Sequence, residues 1–366
     1  MLSNKGKSFQ GSIVLGKGFI LTPEEALSLI DKDPRNKEVL FPYLNGDDLN
    51  NSPTQEPSRW VINFFDWSEE KARSYPDCFD IVERLVKPER LIQKDKGGKE
   101  KWWQFLRPRK ELYATISELD QVMVITRVSK YVVTTFVDSS YIFMDKIVVL
   151  SYEQKDVFSV LQSTIFDSWA WKYSSTLGAN TINFSPNDCF ENFPFPLSTE
   201  SLEKIGALYY NSRKELMKKS QLGLTKIYNL FHSENISQNA NISKLTFLQK
   251  HLEKANCCLK IEEIVSNIQN LRNLHIQLDQ TIINSYGWKD IVLTHDFYEI
   301  DYLPKNDRVR FTMHPTARKE ILKRLLILNL HRYNEESKSD TFDKNISKKR
   351  SKSTHKASNI MLFPED

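Results

Sequence analysis

The stretch Ser159–Pro196, SVLQSTIFDSWAWKYSSTLGANTINFSPNDCFENFPFP, sets how the rest of the chain is read. Val160, Leu161, Ile165 and Trp169 recur at helical spacing with polar residues between them, which predicts one amphipathic helix. The chain then enters a small, polar segment, Ser174 to Asn183, where Gly178 permits a sharp turn. Phe193-Pro194-Phe195-Pro196 ends the stretch, because two prolines in that register can continue neither a helix nor a central strand. An apolar helix carrying a polar loop, closed by a proline stop, suits a loop held rigidly for recognition. A helix, a turn and a domain boundary would look the same.

Upstream, the residues alternate between strands and short helices. Gly11–Leu21 is β-like, and Thr22-Pro23-Glu24-Glu25 is a helix start with Thr22 as N-cap, Pro23 at the first helical position and Glu25 closing a capping box. Arg59–Phe64 reads as a strand, and Ser68–Val86 as a helix capped by Ser68 and broken near Tyr75-Pro76. Strands are predicted at Val122–Arg127, Val132–Val137 and Tyr141–Leu150. Gly16-x-Gly18 lacks the third glycine of a dinucleotide loop, since position 21 is Leu.

Downstream of Pro196 the composition turns helical. Leu202–Lys219 and Leu248–Tyr286 are predicted helices, the second broken near Cys257–Lys260. Ile264, Ile268, Leu271, Leu274, Leu278 and Ile282 form a stripe of 3.6-residue period, and Gly287 is placed as a C-cap. Pro315–Glu336 is a further helix, with Ile321, Leu325, Leu328 and Tyr333 as its apolar positions. Residues 337–366 are rich in Lys and Ser and poor in apolar side chains, so they are expected to be disordered. The predicted architecture is α+β: a mixed α/β unit over 1–198, a mainly α-helical unit over 199–336, and a basic tail.

The four cysteines, Cys78, Cys189, Cys257 and Cys258, show neither metal nor disulfide spacing and are expected to be buried thiols in a reducing, cytoplasmic compartment. No run of about 18 apolar residues predicts a membrane span. A net charge of +4, spread along the chain, is compatible with a nucleic-acid partner without requiring one.

Where basic residues stand beside aromatic ones, cations for phosphate and polar groups for base edges come together. Trp102 and Trp103 are read as core; Arg107 and Arg109 beside them are candidates for phosphate contact. Arg127 and Lys130 between strands, Lys146, Lys172, and the loop residues Asn180, Thr181 and Asn183 are candidates for base contact.

Catalytic patterns are lacking. A base-amino methyltransferase needs an Asp/Asn-Pro-Pro-Tyr/Phe turn, and the chain has no Pro-Pro dipeptide. A Pro-Asp…Asp/Glu-x-Lys nuclease needs a lysine two residues after its second acid. Pro76-Asp77 is present, but Glu83 and Glu89 are followed at that offset by Leu85 and Leu91.

Ten segments, taken in order, carry a resemblance. They are Gly11-Ser12-Ile13-Val14, Gly18-Phe19-Ile20-Leu21-Thr22, Phe41-Pro42-Tyr43-Leu44-Asn45-Gly46, Arg59-Trp60-Val61-Ile62-Asn63-Phe64, Val86-Lys87-Pro88-Glu89-Arg90, Trp102-Trp103, Leu161-Gln162-Ser163, Phe190-Glu191-Asn192-Phe193-Pro194-Phe195-Pro196, Gly223-Leu224-Thr225-Lys226-Ile227-Tyr228-Asn229 and Tyr286-Gly287-Trp288. With them the chain resembles the C-terminal part of MmeI-like type II restriction–modification enzymes, which are adenine-specific DNA methyltransferases. The resemblance implies a DNA target recognition domain over 1–198 and a helical domain over 199–336. It implies double-stranded DNA as partner, and a methyltransferase/nuclease chain or domain using S-adenosylmethionine and Mg2+. No cofactor is expected in this chain itself. Two rival readings stand beside it: a part of a split methyltransferase active only with its partner chain, and a protein-interaction scaffold.

Overall fold

The computed structural model describes residues 4–178, 180–236, 245–254 and 257–357, the side chains of 246, 247, 251, 306 and 339–357 excepted. In chain order the strands are β1 (Ser8–Gln10), β2 (Ile20–Leu21), β3 (Leu40–Leu44), β4 (Arg59–Ile62), β5 (Gln121–Thr126), β6 (Val128–Ser129) and β7 (Thr134–Asp138). They continue with β8 (Ile142–Phe143), β9 (Ile147–Leu150), β10 (Ser175–Thr176), β11 (Ile182–Asn183), β12 (His295–Glu299) and β13 (Val309–Met313).

The central sheet has the order β1-β9-β5-β7 and is antiparallel throughout. Side chains alternate across a strand, and here both faces are covered. Val122 and Val124 join a cluster under the helix Lys110–Ile116, whereas Met123 and Ile125 join a larger cluster on the other side. That is why β5 reads as a continuous apolar run rather than as an alternation. A second sheet, β2-β4-β3-β8, packs against the helices Pro23–Lys32 and Pro76–Leu85; Trp102, Trp103 and Phe105 complete its core.

The larger cluster runs on through the C-terminal helices. It contains Met123 and Phe136 together with Tyr209, Ile264, Leu278 and Leu325. Arg213, on the helix Glu200–Ser220, is buried with them and donates to Thr134 O at 2.6 Å, Gln162 Oε1 at 2.7 Å and the Tyr228 hydroxyl at 3.1 Å. A buried guanidinium needs such partners, since an unpaired one costs several kcal/mol. The fold is α+β, as expected.

Local signals held where they rested on capping chemistry. Thr22 and Glu25 form both bonds of the capping box, and Ser68 caps a short helix that stops before Tyr75. At the end of the helix Ile261–Ser285, Gly287 has φ of 76°, Gly287 N–H donates to Asn284 O at 3.0 Å and Trp288 N–H to Ile283 O at 3.1 Å. That is the Schellman closure, which a side chain at position 287 would strain. Every residue of the Ile264–Ile282 stripe is buried.

Several expectations change. The single helix through Ser159–Trp169 is two helices, Lys155–Gln162 and Thr164–Tyr173. Ser163 caps the second, and Asp279 takes the Thr164 N–H at 3.0 Å, so the helical ladder is not continued across the break. The expected strand Tyr141–Leu150 is β8 and β9, in different sheets, with a turn at Met144–Lys146 carrying the chain from one to the other. The polar Asp145-Lys146 pair occupies that corner, where burying it in a central strand would have been costly. The helical region also contains the hairpin β12–β13, whose register pairs Phe297 with Phe311.

In the last helix, Ile321 and Leu325 are buried, but Tyr333 is exposed. That helix spans Pro315–Ala357, and no Gly or Pro interrupts 337–357. Cys78 and Cys189 are buried free thiols, whereas Cys257 is half-buried and Cys258 exposed, because both fall in the non-helical link before Ile261.

Candidate DNA interface

Arg127 leaves the end of β5 with its backbone clamped on both sides. Its N–H donates to Lys146 O at 2.7 Å, and its carbonyl accepts from Phe184 N–H at 2.7 Å. The side chain then reaches across to β11, where Nε donates to Asn183 Oδ1 at 3.1 Å. Asn183 also donates through Nδ2 to Ser175 Oγ at 3.0 Å. The Asn183 amide therefore bridges β10 and Arg127, and its orientation follows from having one acceptor and one donor partner.

These residues belong to a three-stranded ribbon of order β10-β11-β6, with Asn183 opposite both Ser175 and Val128. Its tip turns at Gly178, φ 73°, and is closed by Leu177 N–H donating to Thr181 O at 2.8 Å. Asn180 and Thr181 lie at this tip, half-buried, with Thr181 Oγ1 3.5 Å from Asn180 Oδ1. Lys172 is exposed on the last turn of the helix that leads into the ribbon.

A groove runs from the ribbon to β1. Arg109, Arg127 and Asn183 line it, with Gln10, Asn187 and Asp188. Arg109 adopts a left-handed conformation, φ 59° and ψ 51°, uncommon for a residue with a side chain. Its guanidinium lies against β1: Nη2 donates to Gln10 Oε1 at 2.9 Å and Nε to Gly11 O at 3.3 Å. Gln10 is fixed in turn by Nε2 donating to Asp145 O at 3.0 Å.

Among the described residues, Arg109 and Arg127 have only neutral hydrogen-bond partners, so their charge is not cancelled by an ion pair. The other predicted cations differ. Arg107 is exposed with Asp95 3.9 Å away, and Lys146 is 3.6 Å from Asp145. Lys130 lies away from the groove. It pairs with Asp307 at 2.9 Å and lines a separate pocket with Tyr131, Gln162, Asp167, His232 and Arg310. Trp102 and Trp103 are core, and Trp103 Nε1 is used up on Trp67 O at 2.9 Å.

Of the nine sequence-selected residues, the groove brings together three: Arg109, Arg127 and Asn183. Gln10, Asn187 and Asp188 join them and were not selected. The Ser185-Pro186-Asn187-Asp188 segment did carry a signal, a Ser cap on a proline-started turn; Ser185 Oγ donates to Asp188 Oδ2 at 2.7 Å and accepts from Asp188 N–H at 3.2 Å. Gln10 carried none. The groove thus presents two guanidinium groups (Arg109, Arg127), three carboxamides (Gln10, Asn183, Asn187) and two carboxylates (Glu111, Asp188), the side-chain types that pair with guanine, adenine and cytosine edges. Among the described residues no group of three or more His, Cys, Asp or Glu stands ready to hold a metal ion, and no helix is long and apolar enough to cross a membrane.

No curated protein matches this sequence. Among solved structures, the type IIL restriction–modification enzyme MmeI in complex with DNA matches with a TM-score of 0.54 at 14% identity, over 89% of this chain. This chain spans 35% of the length of that one, and at such identity the match establishes the fold. The MmeI target recognition domain family matches residues 5–197, more than half of the chain. With the fold and the family pattern in agreement, the chain belongs to the MmeI family, and residues 5–197 are its target recognition domain.

Proposed function

We propose that this chain is the DNA sequence-recognition module of a restriction–modification system, and that the groove between β1 and the β10-β11-β6 ribbon is where it reads bases. The observation that carries this reading is the convergence of Arg109 and Arg127, both without an acidic partner among the described residues, on the amides of Gln10 and Asn183. A guanidinium held at one edge by a neutral amide keeps its remaining donors for a ligand, in a fixed plane. Each well-formed bidentate contact to a base edge contributes about 1–3 kcal/mol of discrimination. Arg107, Lys146 and Lys172, all exposed, supply contact to phosphate. Asn180 and Thr181 at the ribbon tip add contacts to DNA.

The proposal extends to partners. DNA modification by S-adenosylmethionine and cleavage with Mg2+ belong to methyltransferase and nuclease parts that act with this module, and the module works in the cytoplasm as part of a defence against foreign DNA. The test is selection from a randomised duplex pool at two salt concentrations. An enriched motif that survives the higher salt supports base readout. Binding without enrichment that collapses as salt rises would leave only phosphate contact and would refute it.

A further inference from the structure

β6 is only two residues long; it is an edge strand of the ribbon, paired with β11, and it directly follows Arg127. So short a strand has few ladder bonds of its own, and its position depends on what holds the chain beyond it. A slip of one residue would turn its side chains to the opposite face.

Beyond it stand Lys130 and Tyr131, and both are held by residues far along the chain. Lys130 Nζ lies 2.9 Å from Asp307 Oδ1 and 3.4 Å from Asn229 Oδ1. The Tyr131 hydroxyl donates to the same Asn229 oxygen at 2.7 Å. The Tyr131 ring stacks on His232 at 5.2 Å, with the Arg310 guanidinium 5.4 Å from its centroid. Asp307 sits on the connection between β12 and β13, and its Oδ1 also accepts from Arg310 Nη1 at 2.8 Å. One carboxylate at the tip of the β12–β13 hairpin therefore binds a cation of the hairpin and a cation of the recognition domain. The Lys130 and Asp307 side chains are 32% and 15% exposed, so solvent screens this contact less than it screens the surface pairs.

We propose that Asp307 is a positioning residue for base readout: it anchors Lys130 and so fixes the β6 register that presents Arg127 and Asn183 to DNA. This rests on the reading of the groove as the DNA interface, and it gives Lys130 the role of anchor. The helical region thereby takes part in specificity without touching a base.

The test uses the whole chain and the variants Asp307→Asn, Asp307→Glu, Lys130→Met and the Asp307→Asn/Lys130→Met double variant. Two quantities are read: the affinity ratio between the selected motif and a scrambled duplex, and amide hydrogen exchange in peptides covering 128–129 and 182–183. Asp307→Asn is expected to lower the ratio about tenfold while leaving scrambled-duplex affinity unchanged, as loss of one well-aligned base contact would. Exchange should quicken in the ribbon peptides and stay slow in β5. Asp307→Glu should restore most of the ratio, and the double variant should lose no more than the worse single variant. Unchanged ribbon exchange in Asp307→Asn overturns the proposal whatever the DNA result. So does an equal loss on both duplexes with faster exchange in β5, which marks a merely structural role. If the wild-type chain selects no motif, the groove reading falls, and base readout as the purpose of the anchor falls with it; the exchange measurement still decides separately whether Asp307 holds β6.

Discussion

The side chains of His295 and Asp279 are wholly buried and joined at 2.8 Å, Nε2 to Oδ2, tying β12 to the helix Ile261–Ser285. The same carboxylate accepts the Thr164 N–H at 3.0 Å, at the break between the two helices that precede the ribbon. Burial pushes the Asp279 pKa up, but His275, His295 and Thr164 more than reverse this and leave it below the usual carboxylate range. Asp279→Ala would orphan both donors, and we expect a loss of about 3 kcal/mol of stability in urea denaturation. Because the folded pKa is depressed, the contribution is present above the unfolded value of 3.8 and is lost as pH falls through the folded value.

Two other histidines give a second pH window. Burial lowers the pKa of His232 well below 6.5, with Arg310 adding to it, and burial lowers that of His275. A group that resists protonation in the fold stabilises it above the unfolded pKa and ceases to do so as pH falls. Stability should therefore decline below pH 6.5. Asp167, half-buried and pushed up to about 6 by desolvation, acts the other way between its folded value and 3.8. His232→Phe keeps the ring beside Tyr131 and removes one titrating group. Its denaturation midpoint should depend less on pH just below 6.5 than that of the wild-type chain. An unchanged slope would contradict this.

On DNA, the groove residues and the peripheral cations should separate. Arg127→Ala and Asn183→Ala are expected to reduce discrimination between the selected motif and its single-base variants by about 1–3 kcal/mol each. Together they should lose less than the sum, because Arg127 Nε is bonded to Asn183. Arg107→Ala should weaken binding evenly across sequences and reduce the salt slope by about 1. Competition binding at several salt concentrations distinguishes the two behaviours.

Gly206 lies where the helix Glu200–Ser220 crosses Lys155–Gln162. A Cβ there would stand 2.0 Å from Lys155 O and 2.9 Å from its carbonyl carbon, so the helices would have to part. Gly206→Ala gains up to about 1 kcal/mol in helix propensity. Overpacking should outweigh that gain and give a net loss of about 1–2 kcal/mol, read from thermal or urea unfolding.

The parts of the fold legible in the sequence were those encoded over a few residues. The Thr22 capping box, the Ser68 cap, the Gly287 closure and the Ile264–Ile282 stripe are each set by side chains within a turn or two of one another. The parts that were not legible depend on distant partners. Asp279 takes the Thr164 N–H from more than a hundred positions away, and although Ser163 is itself a capping residue, nothing local to it announces that partner. Arg127 and Asn183 were each selected, but their contact spans 56 positions and belongs to the folded ribbon. Lys130 was selected for its charge and its place between strands, while its acidic partner sits on a hairpin that was not read at all. Charge and spacing propose which side chains could meet DNA; which of them already have a partner is settled by tertiary contacts.

The ribbon tip has a consequence for how this molecule tolerates change. At Gly178 an added Cβ would meet nothing within 4 Å, and Thr176 and Leu177 beside it are exposed. The central sheet, by contrast, is packed on both faces. Substitutions at the tip therefore carry little folding penalty beyond the turn conformation at Gly178 itself. The loop can drift through sequence space while the scaffold stays under strict packing constraint, and under the proposed reading, in which Asn180 and Thr181 meet DNA there, a lineage gains a new binding preference without a compensating change in the core.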